Sequence, residues 1–142
     1  MTTKYQGTCF CGAIEVGVEG EPVEMGYCHC QSCRTYSGSP LTAFTLWRDQ
    51  NFRVLRGREH LGSYNKTGTS NRRYCTQCGG HLFTEHPGFG FTDVYAAAFR
   101  DLDFRPALHL NYAESVLRIA DGLPKFRDFP VEAGGTGQLM SE

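Results

Sequence analysis

Seven cysteines stand in three tight groups: Cys9-Phe10-Cys11, Cys28-His29-Cys30-Gln31-Ser32-Cys33 and Cys75-Thr76-Gln77-Cys78. Zinc binding needs several thiolates converging on one point at about 2.3 Å. A short spacing within a tight turn supplies two such ligands with little further chain entropy to lose. Glycine directly follows Cys11 and Cys78, as Gly12 and Gly79, and permits the positive φ that curls a chain around an ion. Two such corners, Cys9 with Cys11 and Cys75 with Cys78, can close a four-cysteine shell, the usual composition of a structural zinc. Cys28, Cys30 and Cys33 are close enough in sequence to grasp one ion together. Three protein ligands and an open fourth position is the arrangement of a catalytic zinc. Other partitions stay open, such as Cys28 and Cys33 joining Cys75 and Cys78, but they strand the Cys9–Cys11 pair. Three adjacent thiolates without a metal repel and raise one another's pKa values, a penalty that a metal removes. The rival reading of Cys75 and Cys78 is a redox dithiol, for which the chain lacks the βαβ context.

Counting agrees with metal rather than bracing. Seven is odd, so the cysteines cannot all pair within the chain. In 142 residues they fall below the density of a small disulfide scaffold. Lys and Arg number 14 against 15 Asp and Glu, which gives no electrostatic reason to expect nucleic acid or an anionic membrane as partner. The first residues, MTTKYQGTCFCGAIEV, show no basic start followed by an apolar run. No apolar run is long enough to span a bilayer. A reducing, cytoplasmic location is therefore the expectation.

Several residues beside the clusters invite roles. His29 lies between two candidate ligands, but on an extended segment it points away from Cys28 and Cys30, which favours packing or support over ligation. Arg34 follows Cys33 and is placed either to offset a negative metal site or meet a substrate carboxylate, or simply to sit in solvent. Ser37-Gly38-Ser39 reads as a loop near the triad. Arg72 and Arg73 face opposite sides of a strand, so only one can address a given site. His81 and His86 are expected to be structural or pocket-lining, and Pro87–Phe91 an aromatic loop beside the pocket.

The elements that must position these groups are strands. Ala13–Val18 alternates apolar and polar residues, and Gly20, Glu21 and Pro22 then break it. Residues 23–27, 41–47, 52–55, 61–65, 70–75, 81–85, 92–99 and 109–113 are further candidates, with one helical turn expected at 31–36. Strands at this spacing predict a mainly β, antiparallel, single domain. The domain is expected over residues 1–130, and the glycine-rich, polar residues 131–142 as a flexible C-terminal tail.

The motifs GTCFCG, YCHCQSCRTYSGS and YCTQCGGHLF together resemble the glutathione-dependent formaldehyde-activating enzyme family, which also contains centromere protein V-like proteins. The resemblance extends over roughly residues 5–130, through FRDLDFRPALHLNYAES and DGLPKFRDFP. It implies a fold of several coiled β-sheets and two zinc ions per chain. The structural zinc would be held by Cys9, Cys11, Cys75 and Cys78, the catalytic zinc by Cys28, Cys30 and Cys33. It also implies a carbon–sulfur lyase activity that joins formaldehyde, or a related aldehyde, to glutathione or another small thiol. Charge favours that chemistry: a zinc held by three thiolates carries a net charge of minus one. It is a poorer Lewis acid toward water than a three-histidine zinc, whereas a thiol is readily deprotonated. The alternative is a non-catalytic, zinc-stabilised binding module of the centromere protein V-like type.

Overall fold

A computed structural model describes residues 2–142. The chain is mainly β, as its alternation predicts. Strands β1 (Lys4–Thr8), β2 (Glu15–Glu19) and β3 (Glu24–Cys28) lead into a single helix, α1 (Gln31–Ser37). Then come β4 (Thr42–Arg48), β5 (Phe52–Arg56), β6 (Leu61–Tyr64), β7 (Asn71–Cys75), β8 (His81–His86) and β9 (Phe91–Tyr95). Three short strands close the order: β10 (Leu108–Leu110), β11 (Lys125–Phe126) and β12 (Leu139–Met140). Two compact units result, one from the residues up to Glu24 together with Thr45–Phe104, the other from Met25–Phe44 and Arg105–Glu142. The chain passes between them three times, so neither unit is a continuous stretch joined to the other by a linker.

In the first unit β2 pairs antiparallel with both β1 and β5, and a second antiparallel run follows the order β6–β7–β8–β9. The alternation of Val16 and Val18 delivers both side chains inward, and Thr92 and Val94 do the same on β9. Cys9, Ile14, Val16, Val18, Trp47, Cys75, Leu82, Phe83, Val94 and Phe99 form one buried cluster. Two cysteines are thus part of the core itself. Trp47 is fully buried, packed edgewise among Tyr5 and Phe99. Its Nε1–H donates to Thr45 Oγ1 at 2.8 Å, and that hydroxyl donates to Val94 O at 2.8 Å. The one polar atom of the indole is therefore satisfied, and the whole ring contributes to burial. Trp47→Ala is expected to cost about 4 kcal/mol, read as a lower denaturant midpoint with an unchanged m-value.

The second unit departs from a purely antiparallel pattern. β10 lies parallel to β3, with Leu108 opposite Gly26 and Leu110 opposite Cys28, and parallel to β11 through His109 and Lys125. A parallel pair requires a long return. The chain makes one through α1 and β4 to β9 between β3 and β10, and another through residues 111–124. Gly26 is needed at this contact, since a Cβ there would stand 2.6 Å from Leu108 O. Residues 131–142, expected as a tail, carry a 3-10 turn at Val131–Ala133 and β12, which pairs antiparallel with β11. None of the helices among the described residues is long and apolar enough to cross a membrane.

Candidate metal centres

Each unit brings one set of cysteines together. In the first, the chain leaves β1, turns at Cys9–Gly12 and enters β2; it leaves β7 at Cys75, turns at Cys75–Gly79 and enters β8. Both turns are closed by backbone hydrogen bonds: Gly12 N–H to Cys9 O at 3.1 Å, and Gly79 N–H to Cys75 O at 2.8 Å. Gly12 and Gly79 take φ of +81° and +75°, the left-handed conformation expected of them.

The four sulfurs of Cys9, Cys11, Cys75 and Cys78 lie within 4.8 Å of one another. The Cys9–Cys11 and Cys11–Cys75 separations are both 3.8 Å. A tetrahedron of sulfurs about 2.3 Å from a central zinc has edges of about 3.8 Å, so the donor set fits the ion in kind and in size. Backbone N–H groups of Ile14, Gln77 and Gly80 point at Cys9, Cys75 and Cys78 Sγ at 3.3, 3.4 and 3.3 Å. The Gly80 N–H is the main reason that Cys78 is drawn down to about 6. The Ala13 N–H favours the Cys11 thiolate, but desolvation and the other three sulfurs outweigh it and push Cys11 up to about 11. The set thus combines thiols drawn down, Cys9 and Cys78, with one pushed up, Cys11.

In the second unit Cys28 ends β3, Cys30 is the N-cap of α1 and Cys33 lies in the helix's first turn. Their sulfurs also lie within 4.8 Å of one another. The Cys33 backbone N–H donates to Cys30 Sγ at 3.2 Å. Cys30 and Cys33 hold the Cys28 thiol well above its ordinary value, through their sulfurs first and desolvation next. This is the crowding penalty expected of three thiols without a cation. All seven cysteines are free thiols, and both clusters could hold a metal ion. Among the described residues the converging sulfurs group as four and three, each set within one unit.

The neighbours of the triad sort themselves by contact. Arg34 Nε donates to His29 O at 3.0 Å and clasps the loop between β3 and α1. Ser39 Oγ donates to Leu41 O at 2.6 Å, so the Ser37–Ser39 segment is an ordinary self-bonded turn. Asn111, which the sequence reading passed over, sends Nδ2–H toward Cys28 Sγ at 3.5 Å. Asn111 is also the one non-glycine residue with positive φ, 54°, among those described, a conformation Asn tolerates better than most. His29 is not part of the converging set. Its ring is fully buried and bonds through Nε2 to His109 Nδ1 at 2.8 Å. Burial, then the neighbours His109, Lys125 and Arg34, lower its pKa to about 4, leaving it neutral at physiological pH.

In the first unit, Arg73 is occupied structurally: NH1 donates to Glu85 Oε1 at 2.8 Å and Nε to Gly62 O at 3.1 Å. Arg72 stands opposite Tyr64 and Thr84 in the strand register. His81 lies beside the Tyr95 ring at 6.4 Å, and His86 Nδ1 is 3.4 Å from Ser70 Oγ. The Pro87–Phe91 loop holds Phe89 exposed.

Comparison with known proteins agrees with this geometry. The chain is 30% identical over 80 residues to an uncharacterized lyase of Schizosaccharomyces pombe, an alignment covering 56% of each protein. The chain thus spans about half the length of that relative. A crystal structure of a Rhodobacter sphaeroides protein, a structural-genomics target, superposes with a TM-score of 0.58 at 26% identity. That match covers 69% of this chain and 90% of the other. Residues 4–114, which include all seven cysteines and Asn111, match the family described as glutathione-dependent formaldehyde-activating enzyme. On that match the chain belongs to the glutathione-dependent formaldehyde-activating enzyme family.

Proposed function

We propose that the protein is a zinc-dependent carbon–sulfur lyase that condenses formaldehyde, or a related aldehyde, with a small thiol. Cys9, Cys11, Cys75 and Cys78 would hold a structural zinc, and Cys28, Cys30 and Cys33 a catalytic one. The observation that carries the reading is the difference between the two clusters: four sulfurs close one shell, while three converge at the other with no fourth protein donor among the described residues. The family match supports the thiol and aldehyde, and the relative named as a lyase supports the class of reaction.

A zinc at the open cluster supplies a positive centre that lowers the pKa of an incoming thiol, whose free value is about 8.5. The reaction joins sulfur to the aldehyde carbon. The carbonyl π pair moves to oxygen, and oxygen takes the proton that sulfur gave up; the reverse direction breaks the carbon–sulfur bond. The chain's own part is to hold the three sulfurs together against their mutual repulsion. Asn111 does so by donating to Cys28 and the Cys33 N–H by donating to Cys30, each of which withdraws charge from a thiolate.

One observation favours the alternative of a binding module. Phe10, at the tip of the first cysteine turn, is 93% exposed, and Val116, Leu117, Val131 and Leu139 are exposed as well. Turnover separates the two readings. With ¹³C-formaldehyde and glutathione, two-dimensional exchange NMR should show adduct formation and breakdown faster than in buffer alone. A second small thiol, cysteine, run in parallel reads the preference. Background rates with both thiols, in protein carrying about two zinc ions, would leave the binding module standing and overturn the lyase.

A further inference from the structure

A buried polar chain runs behind the three-cysteine cluster, and nothing in the condensation uses it. On the extended segment, Cys28 and Cys30 lie to one side of the backbone and Tyr27 and His29 to the other. His109, directly opposite Tyr27 in the parallel register, shares that back face and stacks against it with ring centroids 4.9 Å apart. His29 Nε2 and His109 Nδ1 are 2.8 Å apart, and His109 Nε2 is 2.8 Å from Asp121 Oδ2. Asp121 Oδ1 accepts from Lys125 Nζ, and Lys125 also faces Glu142 Oε1 at 3.5 Å. His29, His109 and Lys125 are buried. Five residues, drawn from four separate stretches of sequence, thus make one chain ending between two of the three cysteines. Its Asp121, Lys125 and Glu142 end lies beyond the residues that match the family.

The direction of the bonds follows from the charged end. Burial works against ionisation of Asp121, but Lys125 and His109 outweigh it and hold the carboxyl below the usual carboxylate range. A carboxylate only accepts, and its partner Lys125 already supplies one full positive charge. A His109 ring with a single ring hydrogen places it on Nε2, against Asp121, and offers a lone pair at Nδ1. His29 must then donate from Nε2, which leaves its Nδ1 as an acceptor. That atom is buried and has no hydrogen-bond partner among the described residues. An orphaned buried acceptor costs stability.

We propose that His109 and Asp121 are positioning residues for the three-cysteine centre, acting through His29 to hold the Cys28–Cys30 segment in metal-binding geometry. This rests on the reading of that cluster as a metal centre. The chain works from behind: it touches neither the open coordination position nor the substrate. Its effect is on how far the three sulfurs are organised before the ion arrives.

The experiment uses the full chain with zinc as probe. Zinc affinity of each cluster is measured by chelator competition in the parent, in His109→Phe and in His109→Asn. Phenylalanine keeps the ring between Tyr27 and His29 but accepts nothing; asparagine restores an acceptor near the position of Nδ1. Zinc affinity at the three-cysteine cluster should fall about tenfold or more in His109→Phe and recover most of that loss in His109→Asn. The four-cysteine cluster should be unchanged and serves as the internal control for folding. Equal affinity in parent and His109→Phe overturns the positioning role and leaves the metal reading intact. A parent that takes up no zinc at the three-cysteine cluster overturns the metal reading itself, and the positioning role with it. Should His109→Phe fail to fold, side-chain ¹H–¹⁵N spectra of the parent decide. A hydrogen on His29 Nε2 is expected, and one on Nδ1 overturns the proposal.

Discussion

Replacing Cys75 with serine is expected to unfold the first unit rather than merely empty its metal centre. Cys75 is fully buried within the cluster that includes Ile14, Val16, Trp47 and Leu82. Structural zinc supplies roughly 10–16 kcal/mol of apparent folding free energy in small domains at neutral pH. The whole net stability of an ordinary domain is about 5–15 kcal/mol. Losing most of the first is therefore enough to cancel the second. A serine hydroxyl stays protonated near neutrality and does not replace a thiolate. Circular dichroism should show a melting midpoint lowered by at least about 15 °C, or no cooperative transition at all, and excess chelator should bring the parent to the same state. A Cys75→Ser variant melting with the parent would mean that these four sulfurs hold no structural metal.

Cys30→Ser should do the reverse, keeping the fold and ending the chemistry. Cys30 is partly exposed and caps α1, with its side chain accepting from the Cys33 N–H. Serine is among the best N-cap residues, so the helix keeps its first bond when the sulfur is removed. Two thiolates remain, too few to hold zinc in the way three do. Bound zinc should fall from about two ions per chain to about one, with an unchanged melting transition. The catalysed exchange should fall by about three orders of magnitude or to background, since a metal-activated nucleophile supplies several kcal/mol of the barrier. Mass spectrometry of the native protein reads the metal, and exchange NMR the rate. Two retained ions with parental turnover would place the chemistry elsewhere.

The cysteine clusters were legible because everything that defines them is local. A Cys-x-Cys or Cys-x-x-Cys spacing, with glycine next, nearly determines the turn that forms. The β-rich class was legible for the same kind of reason: alternation in Val16–Val18 or Thr92–Val94 depends only on which side of a strand faces the core. The pairing of β3 with β10 was not legible. It depends on two segments separated by one α-helix and six strands, and nothing in Leu108–Leu110 says that they run parallel to residues 26–28. Nothing in the residues around Asp121 and Lys125 marks either as part of a buried pair. Burial of Lys125 becomes tolerable only once Asp121 and Glu142 close on it. Asn111 was missed because one side chain, with no partner of its type nearby in sequence, carries no pattern. What sequence periodicity can reveal ends where the partners are distant.

The two cysteine sets also differ in how much chain each must wait for. Cys28, Cys30 and Cys33 all leave the ribosome within a few residues of one another, whereas Cys11 meets Cys75 only after 64 further residues have been made. Closing the longer loop costs about 2 kcal/mol more in chain entropy than closing the short one. A growing chain therefore offers its first complete set of thiolates at the triad, and cannot offer the closed shell until β7 and the turn after it have emerged. If zinc is the ion, as proposed, and is scarce during synthesis, order of appearance favours the three-cysteine cluster, and the four-cysteine cluster is filled last.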